Sequence, residues 1–149
     1  MVAGYSGTPL AKKLGIKAGH RLCVTGEQND LLELIGDLPD GVTEVGLDSS
    51  PDVTVAFFVR FEDLEASFDG LAQAVFPDRV LWVAWPKKSS GVESDLDGNV
   101  VRELVLTTKL VDVKVCAISE VWSGLKVMWR KEHRNERHRR RRPHLRDWW

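Results

Sequence analysis

The chain has 149 residues, 43% of them hydrophobic and 29% charged. That is the composition of one globular domain that buries roughly 68–70% of its unfolded surface, and it excludes a disordered chain. No apolar run reaches the roughly 18 residues a membrane helix needs, and Met1 to Ser6 carry no secretory pattern, so a cytoplasmic protein with no membrane partner is expected. The formal net charge of −1 hides an asymmetry: residues 130–149 sum to +6 and the remainder to −7.

The first element is a short helix over 9–14, with Thr8 as N-cap, Pro9 at the first helical position and Gly15 in the left-handed cap. A strand follows at 21–25 and ends at Gly26. Asn29 caps a short helix from Leu31 to Ile35 that Gly36 closes, and a weaker strand spans about 42–47. Val53-Thr54-Val55-Ala56-Phe57-Phe58-Val59 is nearly all apolar and β-prone, as a strand covered on both faces is. Phe61, Leu64, Phe68, Leu71 and Val75 recur at helical spacing behind the acidic first turn of Glu62 and Asp63, and Pro77 ends that helix. Val80 to Trp85 is a second buried-looking strand, stopped by Pro86.

A polar loop then runs to residue 98. Asn99 caps a helix carrying Val101, Leu104, Val105 and Thr108 on one face. Two alternating strands, about 111–118 and 123–130, are linked by four residues and read as an antiparallel hairpin at a sheet edge. Val111, Val113, Val115 and Ala117 share one face of the first; Leu125, Val127 and Trp129 share one face of the second. The alternation of strands and helices implies a three-layer, Rossmann-like α/β domain over residues 1–131. Its sheet is mostly parallel with helices on both faces, and residues 132–149 form a basic tail.

Three stretches carry a family likeness: Tyr5-Ser6-Gly7-Thr8-Pro9-Leu10, the run from Trp82 to Gly91, and Val111 to Cys116 together with Trp122 to Lys126. They resemble a family of short bacterial proteins known only as domain of unknown function 3052, over about residues 4–131. The resemblance brings no activity. A looser one joins Asp52 to Phe58, the following helix, Val80 to Trp85 and the closing helix and hairpin to the later half of the class I methyltransferase fold. It implies that Gly26 and Asp48, 22 residues apart, stand where such enzymes hold S-adenosylmethionine, with Asp48 on the ribose. Two features depart from it. Gly26 is followed by Glu27-Gln28-Asn29 where a glycine-rich turn is wanted, and the four residues between Leu47 and Asp52 are too few for a helical crossover.

The expected ligand site is the loop after Trp85, because ligands of such sheets bind beyond the carboxyl ends of strands. Lys87 and Lys88 supply charge there, Ser89 and Ser90 hydroxyls, and Asn99 marks a helix start that would attract an anion; Arg102 and Lys12 could reach the same place. The opposing reading is two solvated lysines balanced by Asp95 and Asp97. On the hairpin, Asp112 and Lys114 lie opposite the valines, with Trp122 and Lys126 nearby. Charges on the solvated side of an edge strand discourage sheet association, which explains them more simply than a catalytic pair does.

His20 is the only histidine before the tail, Cys23 and Cys116 sit mid-strand as free thiols, and there is no phosphate-loop, dinucleotide or metal-helix motif, so no catalytic residue and no metal is expected. Arg139, Arg140, Arg141 and Arg142, with Trp148 and Trp149, could bind nucleic acid phosphates and bases, dock on the acidic body or on a neighbouring subunit, or stay free. Together these features favour a non-catalytic module for a small anionic ligand or a protein partner. The alternatives are a degenerate S-adenosylmethionine-dependent methyltransferase-like protein and a tail-driven nucleic-acid binder.

Overall fold

A computed structural model describes residues 8–27 and 29–135. Strand β1 (Arg21–Gly26) lies between β2 (Thr43–Glu44) and β3 (Val53–Phe57), and the sheet continues through β4 (Val80–Pro86) and β6 (Trp122–Trp129) to β5 (Leu110–Ala117) at the edge. Strands β1 to β4 pair in parallel, and β6 pairs antiparallel with both β4 and β5. The expected hairpin is therefore present, and its second strand is the one that joins the sheet.

Every residue of β3 is buried, as its unbroken apolar run requires. Alternate residues of the central strands feed two cores. Ala56, Leu81, Val83, Leu125, Val127 and Trp129 face α3 (Phe61–Ala74) and α4 (Gly98–Leu106). Val53, Val55, Phe57, Trp82 and Ala84 face the other way, toward α1 (Leu10–Leu14) and α2 (Leu31–Ile35). The fold is a three-layer α/β sandwich.

Buried polar handles lock both layers to the sheet. The Trp82 indole donates to the Leu14 carbonyl at 2.9 Å, and the Trp129 indole donates to the Ala72 carbonyl at 2.9 Å while meeting Phe76 edge-on at 4.7 Å. No helix among the described residues is long and apolar enough to cross a membrane.

Several boundaries differ from the sequence expectation, each for a local reason. α1 begins at Leu10 with Pro9 in the capping position, and Gly15 closes it in the left-handed conformation as expected. Asn29 does serve the start of α2, accepting from the Leu31 N–H at 3.0 Å, although Asp30 occupies the capping position. The strand expected over 42–47 is only two residues long. Glu44 lies level with Leu22, the second residue of β1, and the chain then makes a 3₁₀ turn, Leu47–Ser49, and enters β3 at Val53, again level with Leu22. So short a strand never climbs along β1, which is why four residues suffice to pass under it.

The hairpin valines do not share one face: Val111 lies opposite Met128, and Val115 lies opposite Leu125 on the α3–α4 side. An irregularity between Asp112 and Lys114 shifts the register, leaving Val113 and Val115 about half exposed (48% and 50%), while Asp112 is drawn toward α4.

Candidate functional site

Strands β1, β3 and β4 all end on one rim of the sheet. The connection leaving β1 goes to β2 on one side, and the connection leaving β3 goes to β4 on the other. The chain order thus reverses between β1 and β3, and an open α/β sheet has its ligand crevice at such a point.

A cleft of about 500 Å³ occupies this rim, lined by Glu27, Asn29, Asp30, Val59, Val92, Val121 and Trp122. Its walls are the turn after β1, the end of β3, the loop after β4 and the hairpin tip. Trp122 is held edge-on against Phe57 at 4.9 Å. Asn29 is committed to the turn: its amide donates to the Glu27 carbonyl at 3.0 Å while its oxygen takes the Leu31 N–H. The Glu27 and Asp30 carboxylates are exposed and have no hydrogen-bond or ion-pair partner among the described residues. The cleft therefore offers two negative charges against apolar walls. It suits a ligand that carries positive charge and hydrogen-bond donors.

Gly26 forms the floor at this switch point. Its φ is +98°, and a Cβ there would stand 2.1 Å from the Phe57 oxygen, 2.7 Å from its nitrogen and 2.9 Å from its carbonyl carbon. The adjacent Glu27 N–H donates to that same Phe57 oxygen at 2.7 Å. The need for glycine comes from β3, whose backbone it presses against, and not from space kept for a cofactor. Asp48 is exposed in the 3₁₀ turn that joins β2 to β3. β2 ends and β3 begins level with Leu22, four strand residues or about 13 Å short of Gly26. Asp48 is not among the residues that line the rim cleft.

The lysine–serine loop does leave the C-terminal end of β4. Lys88–Ser90 forms a 3₁₀ turn, the Lys87 N–H donates to the Val121 carbonyl at 2.7 Å, and the Ser90 hydroxyl is used inside the turn, donating to the Lys87 carbonyl at 2.6 Å. Lys88 and Ser89 point into solvent, Lys87 is half-buried, and Lys88 lies 3.9 Å from Asp97.

Asn99 does not cap α4. Asp97 does, accepting from the Val100 N–H at 2.9 Å, so a carboxylate already sits where an anion was expected. Arg102 is turned away, bonded to Asp112 at 2.9 Å across the α4–β5 contact. Lys12 lies in a separate cleft of about 300 Å³ with Lys17, Asp37, Leu38 and Pro39, on segments that lead into β1 and β2 at the opposite end of the sheet. Of the six residues expected to share one anion site, Lys87, Lys88 and Ser89 stay in one loop beside the start of α4 that holds Asn99, while Arg102 and Lys12 are directed elsewhere. Arg139, Arg140, Arg141 and Arg142 lie outside the described residues, as do Tyr5 and Ser6.

Asp95, read as a counter-charge, instead accepts the Phe61 N–H at 2.8 Å and so caps α3 from 34 residues away, while Ser94 donates to the Val59 carbonyl at 2.6 Å. The loop after β4 is a brace that fixes the end of β3. Both cysteines are free, and burial pushes each thiol above its ordinary range, with Glu44 adding to the effect at Cys23 and Lys13 and Lys114 opposing it at Cys116. Neither is set up as a nucleophile near neutral pH. Among the described residues no group of three or more His, Cys, Asp and Glu side chains is placed to hold a metal ion.

No family model matches the chain, and no curated protein does. Solved structures do. A SAM-dependent methyltransferase from Aquifex aeolicus superposes with a TM-score of 0.51 at 13% identity, over 81% of this chain and 88% of its own. A protein of the NADB-Rossmann superfamily from Streptococcus agalactiae superposes with a TM-score of 0.50 at 8% identity, over 84% of this chain and 69% of its own. At these identities the likeness establishes a shared Rossmann-like fold.

Proposed function

We propose that this chain is a degenerate methyltransferase-like protein: it holds a small cationic, hydroxyl-bearing ligand in the rim cleft and carries out no methyl transfer. The observation that carries this reading is the pair of unpartnered carboxylates, Glu27 and Asp30, facing Val59, Val92, Val121 and Trp122 at the point where the strand order reverses. The fold shared with a SAM-dependent methyltransferase supports the ligand class.

S-adenosylmethionine matches the cleft in charge, since a sulfonium and an ammonium face two carboxylates. It does not match in grip. The only glycine of the first turn is spent against Phe57, and Asp48, the acid expected at the end of the second strand, does not line the cleft. No step of a reaction follows from such a site.

Isothermal calorimetry of the full chain with S-adenosylmethionine tests this. Binding is expected to be weak, with Kd on the order of 1 mM and ~−4 kcal/mol, weaker still for S-adenosylhomocysteine, which keeps the ammonium but lacks the sulfonium charge, and lowered further by Glu27→Gln with Asp30→Asn. Micromolar binding accompanied by methyl transfer would overturn the degenerate reading. Absence of heat at several millimolar ligand, or full affinity in the double variant, would overturn the cleft.

A further inference from the structure

The described residues leave the face of the hairpin on the α1 side uncovered beyond α1. α1 covers β3 and β4 there, through Trp82 and Leu14, and stops at β5, where the Lys13 ammonium donates to the Ala117 carbonyl at 3.0 Å. Beyond that contact, the row of residues running across the sheet is Trp82, Lys126 and Lys114: Trp82 lies opposite Lys126, and Lys126 opposite Lys114.

Two lysines directly across a strand pair are a local conflict, because like charges in that position repel at the closest side-chain spacing a sheet provides. Lys126 is half-buried, which sharpens the conflict. Burial holds its ammonium below the ordinary lysine range, and the charges of Lys114 and Lys17 push it the same way. None of the Lys17, Lys114 and Lys126 ammonium groups has a carboxylate or a hydrogen-bond partner among the described residues. The nearest hairpin carboxylate, Asp112, is turned to the other face of the sheet by Arg102. The described residues leave these three amines unpaired, which is an unrelieved cost at one place, and such conflicts concentrate where a ligand relieves them.

We propose that Lys114 and Lys126 on this face of the β5–β6 hairpin, with Lys17 from the segment that follows Leu14, whose carbonyl takes the indole of Trp82 opposite Lys126, form a binding site for a phosphate-bearing anion. Trp82, the ring opposite Lys126, is fully buried, and the other side chains beside the lysines are Cys116 and Met128, both half-buried, so no aromatic face is exposed there. With no ring to stack on, the site reads phosphate and not base. Ammonium groups suit it as strongly hydrated point charges that bind phosphate oxygens without a fixed angle. The site is independent of the rim cleft, which is acidic, and replaces the lysine–serine loop as the place where this chain meets negative charge.

The test is amide NMR of the ¹⁵N-labelled full chain at low salt, titrated with inorganic pyrophosphate and, separately, with a short oligothymidylate. Shifts are expected at Lys114, Cys116 and Lys126. Affinity should fall roughly tenfold or more in Lys114→Gln with Lys126→Gln, or in Lys17→Gln should the double variant not fold, and stay unchanged in Glu27→Gln. Saturable binding of pyrophosphate assigns a free polyphosphate. Response to the oligonucleotide alone, weakening linearly with the logarithm of salt, assigns a nucleic-acid backbone. Shifts confined to residues outside the hairpin face and Lys17, or affinity retained in the lysine variants, would overturn the site.

Discussion

Replacing Gly26 with alanine puts two separable strains on one position. The first is conformational. At φ +98° an L-residue costs on the order of 1–3 kcal/mol. The second is steric: the new methyl would stand 2.1 Å from the Phe57 oxygen, where carbon contacts settle at about 3.5–4.0 Å. More than an ångström has to be found by prising β1 from β3, a pair held in register over five residues from Leu22↔Val53 to Gly26↔Phe57. Overpacking of this kind costs about 1–3 kcal/mol, so the total is roughly 2–6 kcal/mol.

Gly15 supplies the control, because it has φ +81° and nothing within 4 Å of a built Cβ, and Gly15→Ala therefore carries the conformational cost alone. Urea unfolding of both variants measures the difference as a shift in midpoint at constant slope, and thermal unfolding gives roughly 2–4 °C per kcal/mol for a chain of about this size. Were Gly26→Ala to cost no more than Gly15→Ala, the close approach to β3 would not be what demands glycine there, and room for a ligand would again become the explanation.

Thr54 is fully buried in β3, and its hydroxyl finds no partner among the described residues, so Thr54→Val should stabilise the chain by about 1–3 kcal/mol in the same urea assay. Lys126→Gln should stabilise it by about 0.2–1 kcal/mol at pH 7 through loss of the like-charge pair with Lys114. Because the folded state lowers the Lys126 proton affinity, the wild-type penalty is fully present at neutral pH. It disappears as pH rises through the folded and then the unfolded lysine range, so the gap between variant and wild type should close under alkaline conditions.

The layered fold was legible because it is written in periodicity. The unbroken apolar run at 53–57, the three-and-four spacing from Phe61, and the Pro86 stop each depend on near neighbours in sequence. The site was less legible because its geometry depends on register. Asp48 has the right spacing from Gly26 for a ribose acid, yet spacing does not show that β2 stops after two residues and that Asp48 falls in a 3₁₀ turn instead of at a strand end. Asn99 is as good a capping residue as Asp97; which one caps is decided by where Lys88–Ser90 turns the loop. Arg102 could be placed one turn into α4, but its partner Asp112 is brought to it by an irregularity in β5 that no local pattern announces. The Lys114–Lys126 pairing follows only from the hairpin register. Glu27 and Asp30 were visible beside Gly26, and the clue to them is their place at the end of the first strand.

The two-residue length of β2 has a consequence for recognition at the rim. Past Leu22, no strand of the described residues flanks β1 on that side, so a molecule resting above Gly26 is enclosed from the direction of β3 and the hairpin tip and open to water opposite. Little of its apolar surface can be dehydrated, and attraction has to come from charge. Occupancy of such a half-walled berth rises and falls with ionic strength.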